Sequence, residues 1–223
     1  SSKTGDAMTT RILIACLALT CVGVVAEVHA KGEAQQRWEL MNQIRQEKFD
    51  LVLPEVMREN GVDMWITVNR EGFDDPLTED FGKGYVGGYG YYIFTDRGDG
   101  RIERAVLGVD TALVEDNGAY DIIGSADELK AFVEARDPGS IALNYARNIG
   151  AADGLSYTSY QKLTEELGAE YAERFVSAEK LASDFRSRRV ASCISRVNPF
   201  IEGLRACCRA CSTGPRRCRR SGR

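Results

Sequence analysis

The residues with the clearest chemical potential form one polar segment. Arg70 and Glu71 precede Asp74 and Asp75, and all four follow an apolar run that predicts a buried strand. Paired carboxylates serve as metal ligands or as an acid and a base, whereas adjacent acids in a loop are more often solvated or cap a helix. Ligands of α/β proteins gather where strands end at their carboxyl edge. We therefore predict no catalytic residue here, and expect a substrate-access loop formed by Arg70, Glu71, Asp74, Asp75 and Tyr85.

A glycine-rich motif follows this segment. Residues 82–87 match the pattern G-x-G-x-x-G. A dinucleotide site needs that pattern to follow a strand and open a helix, but here it lies between a polar stretch and an aromatic strand. Lys83 is not followed by Ser or Thr, so the phosphate-binding loop (P-loop) of nucleoside triphosphatases is excluded too. The motif predicts a loop ahead of a β-hairpin.

Histidine and cysteine are confined to the two ends of the sequence. The chain of 223 residues has one histidine, His29, and seven cysteines, and residues 31–192 contain neither type. Histidine general bases, Ser–His or Cys–His pairs and zinc sites of imidazole or thiolate are thereby excluded from that segment. We expect no metal ion or other cofactor in this chain.

Charge divides the sequence into three parts. Residues 1–30 are neutral, residues 31–192 hold 19 basic and 30 acidic side chains, and residues 193–223 hold eight arginines against one acid. The net charges are 0, −11 and +7, which together give the overall −4. Segments that differ this much are interpreted separately.

The first part has the pattern of an export signal. Met8 is followed by Arg11 and by an apolar run over 12–26, and Val28-His29-Ala30 offers small or modest residues before a cleavage point. The run is shorter than the roughly 20 residues that a membrane-spanning helix needs. We expect residues 8–30 to be a signal peptide, residues 1–7 to be an over-extended start, and the protein to be periplasmic or secreted without a stable membrane span.

The last part differs in composition from the rest. Residues 193–223 contain five cysteines and eight arginines. Cys207, Cys208, Cys211 and Cys218 allow a metal knuckle, disulfides are a second possibility, and an arginine-rich nucleic-acid tail is a third. A frame break in a GC-rich gene explains the composition better, since no second ligand pair is present. We expect a frameshifted or disordered tail that binds no nucleic acid.

Between these ends, helices and strands alternate. The patterns predict helices over 35–46, 49–60, 128–136, 158–167 and 179–190, and strands over 64–68, 91–95, 101–109, 122–123, 140–145 and 174–176. Asp50 is a candidate N-cap, Ser125 and Glu128 form a candidate capping box, and Gly61 and Gly168 are candidate helix ends. This order predicts one α/β domain over 31–192, a mixed sheet flanked by helices.

The same segment resembles the amino-terminal domain of the creatinase, prolidase and Xaa-Pro aminopeptidase family. The resemblance covers about residues 33–192 and rests on three stretches. They are Arg45–Asp50 with the helix to Asn60 and the strand entry Gly61–Ile66, the loop Arg70-Glu71 with Asp74-Asp75-Pro76, and the linker-like stretch from Glu179 to Ser192.

The resemblance implies a ribonuclease-H-like α/β domain with a non-catalytic role. Family members carry a second, pita-bread domain that binds two divalent metal ions through two Asp, one His and two Glu. None of those motifs occurs in this sequence, and the likeness stops at Ser192. The implied protein is an exported metallopeptidase truncated before its catalytic domain and inactive as it stands. It is expected to be a homodimer that acts on a peptide or small amide only together with the missing half. A stand-alone small-ligand-binding module using the loop 70–89, and a metal or redox role of the cysteine tail, remain as alternatives.

Overall fold

The computed structural model describes residues 32–98, 100–110 and 118–193. The predicted signal peptide, and the tail beyond Cys193, lie outside these residues. The chain divides into a unit of residues 1–41 and a unit of residues 42–223. Within the first unit, residues 32–41 are helical. None of the helices in the described part is long and apolar enough to cross a membrane.

The second unit is built on one six-stranded sheet. Its strands are β1 (Met64–Arg70), β2 (Tyr89–Asp96), β3 (Ile102–Leu107), β4 (Ile122–Gly124), β5 (Ile141–Leu143) and β6 (Phe175–Ser177), in the spatial order β4-β3-β2-β1-β5-β6. The pairs β1–β2 and β2–β3 are antiparallel, and the other three pairs are parallel. The predicted mixed sheet flanked by helices is therefore confirmed.

Helices cover both faces of this sheet. They are α1 (Leu53–Glu59), α2 (Thr78–Phe81), α3 (Leu129–Glu134), α4 (Tyr157–Leu167), α5 (Ala169–Ala172) and α6 (Glu179–Ser187). Residues 42–47 are also helical, and a π-helical turn, Lys48–Val52, leads from them into α1. Short 3-10 turns lie at Ala126–Glu128 and Gly150–Ala152.

Alternation along the central strands creates two cores. Trp65, Tyr92 and Phe94 pack with residues of α1, α2 and α6 on one face. Met64 and Tyr91 pack with residues of α3, α4 and α5 on the other face. Successive side chains of a strand point to opposite faces, which is why the neighbouring Tyr91 and Tyr92 are both buried but belong to different cores.

Two predicted helix starts were wrong. Asp50 is no N-cap, because helical backbone continues through it, and its carboxylate pairs instead with Arg104 of β3. Ser125 makes no side-chain capping bond, and a 3-10 turn separates it from α3. The predicted helix ends at Gly61 and Gly168 are confirmed: both have positive φ, 64° and 86°, where glycine meets no steric penalty.

Candidate functional site

The candidate site begins where β1 ends. Backbone bonds in both directions join Arg70 and Phe73, at 3.1 and 3.0 Å, so the chain reverses within four residues. Gly72 supports this turn with a φ of 70°. The N–H of Glu71 donates to the carbonyl of Gly88 at 3.2 Å. The loop 70–88 is thereby closed at its base, next to the first residue of β2.

Asp75, two residues beyond the Arg70–Phe73 turn, is a buried anchor of the loop. Its side chain is among the few carboxylates in the described interior, and the residue is 3% exposed. Its Oδ1 accepts the N–H of Leu77 at 2.8 Å, and Nδ2 of Asn144 donates to both carboxylate oxygens at 2.9 Å. Burial raises the pKa of Asp75, and these hydrogen bonds offset part of that effect.

Two asparagines connect this anchor to the sheet. Asn69 accepts the N–H of Asp75 at 3.0 Å and donates to Oγ1 of Thr78 at 2.9 Å. Asn144, just beyond β5, accepts the indole N–H of Trp65 at 2.7 Å. The loop is therefore tied to β1 and to β5, two neighbouring parallel strands, at their carboxyl ends.

The carbonyls of α2 are held by three side chains from elsewhere in the chain. Arg45 donates to the carbonyls of Asp80 and Glu79 at 3.0 and 3.3 Å. Tyr120 donates to that of Phe81, and Tyr92 to that of Gly82, each at 2.7 Å. Burial raises the pKa of both phenols and lowers that of the Arg45 guanidinium. A helix of four residues leaves its last carbonyls without internal partners, and these donors satisfy them.

The outer part of the loop is open and partly apolar, and we call it the rim: it consists of the residues that line the cavity described next, together with Phe73. A cavity of about 360 Å³ is lined by Arg70, Asp74 and Tyr85, with Gly72, Lys83, Gly84 and Val86. Tyr85 is 63% exposed and Phe73 45% exposed. The guanidinium of Arg70 lies over the Phe73 ring at 5.2 Å, and its Nε has no hydrogen-bond partner among the described residues.

The structure separates the two adjacent carboxylates. Asp75 points into the protein, whereas Asp74 stays at the surface and pairs with Lys83 at 3.0 Å, which raises the pKa of that lysine. Arg70, Asp74 and Tyr85 share the cavity, but Glu71 and Asp75 do not line it. Within the described ranges, no group of three or more His, Cys, Asp or Glu side chains is placed to hold a metal ion.

The glycine-rich motif has the predicted structure. Residues 82–87 lie between α2 and β2 and open no helix. The carbonyl of Tyr85 accepts the N–H of Asp110 at 2.6 Å, which holds this loop against the segment after β3.

Sequence reasoning missed the residues that hold the site. Asn69, Asn144, Arg45 and Tyr120 carry no motif, and their partners lie up to 79 positions away, in the case of Asn144 and Trp65. The one available signal was that Asn144 lies near the carboxyl end of a predicted strand, 140–145, and that the Arg70 segment follows the carboxyl end of another, 64–68.

Comparison with known proteins gives a partial likeness. No family model matches the sequence, and no curated protein matches it either. Two solved structures are similar with a TM-score of 0.43 each. One is an Xaa-Pro dipeptidase from Bacillus anthracis, 18% identical, with 69% of this chain and 38% of that chain covered. The other is a prolidase from Pyrococcus horikoshii OT3, 14% identical, with 68% and 37% covered. The chain spans less than two fifths of either protein.

Proposed function

We propose that residues 31–192 are the non-catalytic amino-terminal domain of an exported metallopeptidase of the Xaa-Pro aminopeptidase type. The support from sequence is the resemblance of the stretches 45–66, 70–76 and 179–192 to that domain. The observation that carries the proposed access role is that two aromatic rings, Phe73 and Tyr85, are exposed on a loop whose base is buried and hydrogen-bonded.

A rim of this kind suits contact with a substrate held by a neighbouring domain. Covering apolar rings lowers the free energy because it removes apolar surface from water, and aromatic rings are a common surface for proline-containing segments. Because Asp75 and α2 already fix the loop, covering the rim requires little further ordering of the chain. The loop would thus line and restrict access to an active site without taking part in the reaction.

In this proposal the reacting groups belong to a domain beyond residue 192. Two divalent metal ions would be bound there, and residues 31–192 would have no activity by themselves. Homodimer formation, as in the family, belongs to the same proposal. Size-exclusion chromatography with light scattering on the 223-residue chain tests it, and a monomer at all accessible concentrations contradicts it.

The decisive experiment is to read the gene beyond codon 192 in the other two frames and to express the rejoined protein. We expect a continuation that encodes the Asp, His and Glu ligand set and an enzyme that cleaves Xaa-Pro peptides. Phe73→Ala and Tyr85→Ala should each raise its KM about tenfold with kcat little changed, as loss of a purely binding contact does.

Tyr157→Ala is the matched control, since Tyr157 is an exposed tyrosine outside the loop, and its KM should stay unchanged. The 223-residue chain, given Mn²⁺ or Zn²⁺, should show no turnover. Noncoding sequence after codon 192, or chelator-sensitive peptidase activity of this chain, would contradict the proposal.

The cavity beside Arg70 favours a second candidate, a stand-alone module that binds a small ligand. The Nε of Arg70 is buried and has no hydrogen-bond partner within the described ranges, which makes it a ready donor to an anionic group. Amide hydrogen exchange of the 223-residue chain, measured in the presence of acetate or of acetyl-proline, separates the two candidates. Protection of 70–89 by either compound at submillimolar concentration favours the module, and its absence favours the domain role.

The metal or redox role of the tail concerns residues outside the described part, and intact mass under oxidising conditions tests it.

A further inference from the structure

A second cavity, which shares no lining residue with the one at Arg70, is lined mainly by tyrosine rings. Its volume is about 420 Å³, and its lining residues are Tyr145, Leu155, Tyr157 and Tyr160. Tyr157 is 74% exposed, while Tyr145 and Tyr160 are 37% and 36% exposed. None of these residues takes part in the proposed function, so the two proposals stand or fall separately.

The rings meet at right angles. The planes of Tyr145 and Tyr160 are inclined by 89°, with centroids 6.5 Å apart, which is an edge-to-face contact. Phe175 packs on Tyr160 in a second edge-to-face contact, with centroids 5.9 Å apart. Tyr157 lines the same cavity, one helical turn before Tyr160 and Gln161. Three tyrosine rings therefore line one cavity.

Hydrogen bonds hold these walls in place. Ser156 caps α4 by accepting the N–H of Ser159 at 3.1 Å, which fixes the first turn where Tyr157 lies. The N–H of Leu155 donates to the carbonyl of Asn144 at 2.8 Å. The N–H of Tyr145 donates to the carbonyl of Leu143, also at 2.8 Å, and Oγ of Ser177 donates to the carbonyl of Tyr145. The cavity is therefore present before any ligand binds.

The lining residues of the cavity carry no positive charge that would repel a bound cation. Lys162 is directed away from it, with Nζ 2.9 Å from Glu166 and 5.1 Å from the centre of the Tyr89 ring. The connection 145–156 has no net charge, since its two charged residues are Arg147 and Asp153. The net charge of −11 over residues 31–192 attracts cations at longer range.

We propose that this aromatic cavity binds organic cations of the quaternary ammonium class. The face of an aromatic ring is electrically negative, and a cation within about 6 Å of the ring centre is attracted to it. A quaternary ammonium has no N–H groups that need hydrogen-bond acceptors, and it exposes methyl groups that pack on rings. Several tyrosine rings around one site are the usual means of recognising such a group.

The test compares choline with 3,3-dimethyl-1-butanol, which has the same shape but a neutral carbon in place of nitrogen. Both are titrated into the 223-residue chain while the tyrosine ring signals are followed by NMR. We expect choline to bind at least about tenfold more tightly than the neutral alcohol, with shifts at Tyr145, Tyr157 and Tyr160. Equal affinity, or no binding of choline at concentrations up to about 100 mM, would overturn the proposal.

Substitutions at the exposed Tyr157 supply the matched controls. Tyr157→Phe keeps the ring and should keep choline binding within about twofold, whereas Tyr157→Leu keeps an apolar side chain but removes the ring and should weaken binding about fivefold or more. Circular dichroism should show the same fold for both variants, because this side chain lies outside the core. Equal loss in both variants, or no loss in the leucine variant, would contradict a cation–π site.

Discussion

Asp75 illustrates how one residue determines the form of the access loop. Its carboxylate is buried beneath the rim, and Gly154 passes so close that there is no space for a further atom. A Cβ on Gly154 would lie 2.6 Å from Cγ of Asp75 and 2.7 Å from Cδ of Pro76. At this position glycine is required by close approach rather than by backbone conformation.

We therefore predict that Gly154→Ala destabilises the fold by about 1–3 kcal/mol, the usual cost of overpacking a closed site. Urea unfolding measures the change. Gly150→Ala is the matched control, because no atom lies within 4 Å of its added Cβ, and its free energy of unfolding should change by less than about 0.5 kcal/mol. Equal effects in the two variants would show that the approach to Asp75 is not tight.

The raised pKa of Asp75 predicts a pH dependence with a definite sign. The folded state holds this proton more tightly than the unfolded state does. The stability that Asp75 contributes is therefore complete below its ordinary pKa of 3.8 and is lost as the pH rises through the higher folded value. Compared with Asp75→Asn, which does not titrate, the wild-type chain should lose relative stability as the pH rises above that ordinary value.

Urea unfolding of both chains at several pH values tests this prediction. The lowered pKa values of Asp96 and Asp184 act in the opposite direction, but they are common to both chains and cancel in the difference. A difference that grows in favour of the wild type with rising pH would mean that the Asn144 and Leu77 hydrogen bonds outweigh burial.

At the scale of elements, α2 shows why a very short helix persists. Four residues are too few for a helix to be stable by itself. Here Arg45, Tyr92 and Tyr120 donate hydrogen bonds to four successive carbonyls, from Glu79 to Gly82. The helix, and residues 83–86 that follow it, depend on these distant side chains more than on their own sequence.

Removing one donor should loosen this element. Tyr120→Phe leaves the ring but removes the hydrogen bond to the carbonyl of Phe81, and we expect a loss of about 1–2 kcal/mol in the free energy of unfolding. Hydrogen exchange should become faster over 78–88 in particular. Tyr157→Phe removes an exposed hydroxyl and serves as the control without either effect. Unchanged exchange over 78–88 in Tyr120→Phe would show that this bond does not hold α2.

At the scale of the molecule, β1 joins the two cores. Trp65 belongs to the core with α1 and α6, while its neighbours Met64 and Ile66 belong to the core with α3 and α4. A strand that contributes to both faces cannot lose one core and keep the other. The unit 42–223 is therefore expected to unfold its described sheet in one cooperative transition.

A reporter on one face and a substitution on the other test this coupling. In a Trp38→Phe background, Trp65 is the remaining tryptophan and reports the first core. Leu163→Ala creates a cavity in the second core and should cost about 2–5 kcal/mol. The transition seen by Trp65 fluorescence should shift together with that seen by far-UV circular dichroism. A shift in the circular dichroism alone would show that the cores unfold independently.

Several features of this protein were determined by the sequence alone. The apolar periods and turn residues predicted the alternation of helices and strands, the β2–β3 hairpin and the ends at Gly61 and Gly168. These depend on neighbours in the chain, where side-chain spacing and backbone conformation act directly. The absence of His and Cys from residues 31–192 needed no structure at all.

The tertiary structure decided which polar residues do what. Asp74 and Asp75 are identical in type and adjacent in sequence, yet one is a surface ion pair and the other a buried anchor. The difference arises because β5 lies beside β1, which brings Asn144 to Asp75 across 69 positions. Likewise, the aromatic cavity exists because α4 packs near the end of β5. Burial and hydrogen-bond partners depend on the order of strands in the sheet, and local sequence patterns do not encode that order.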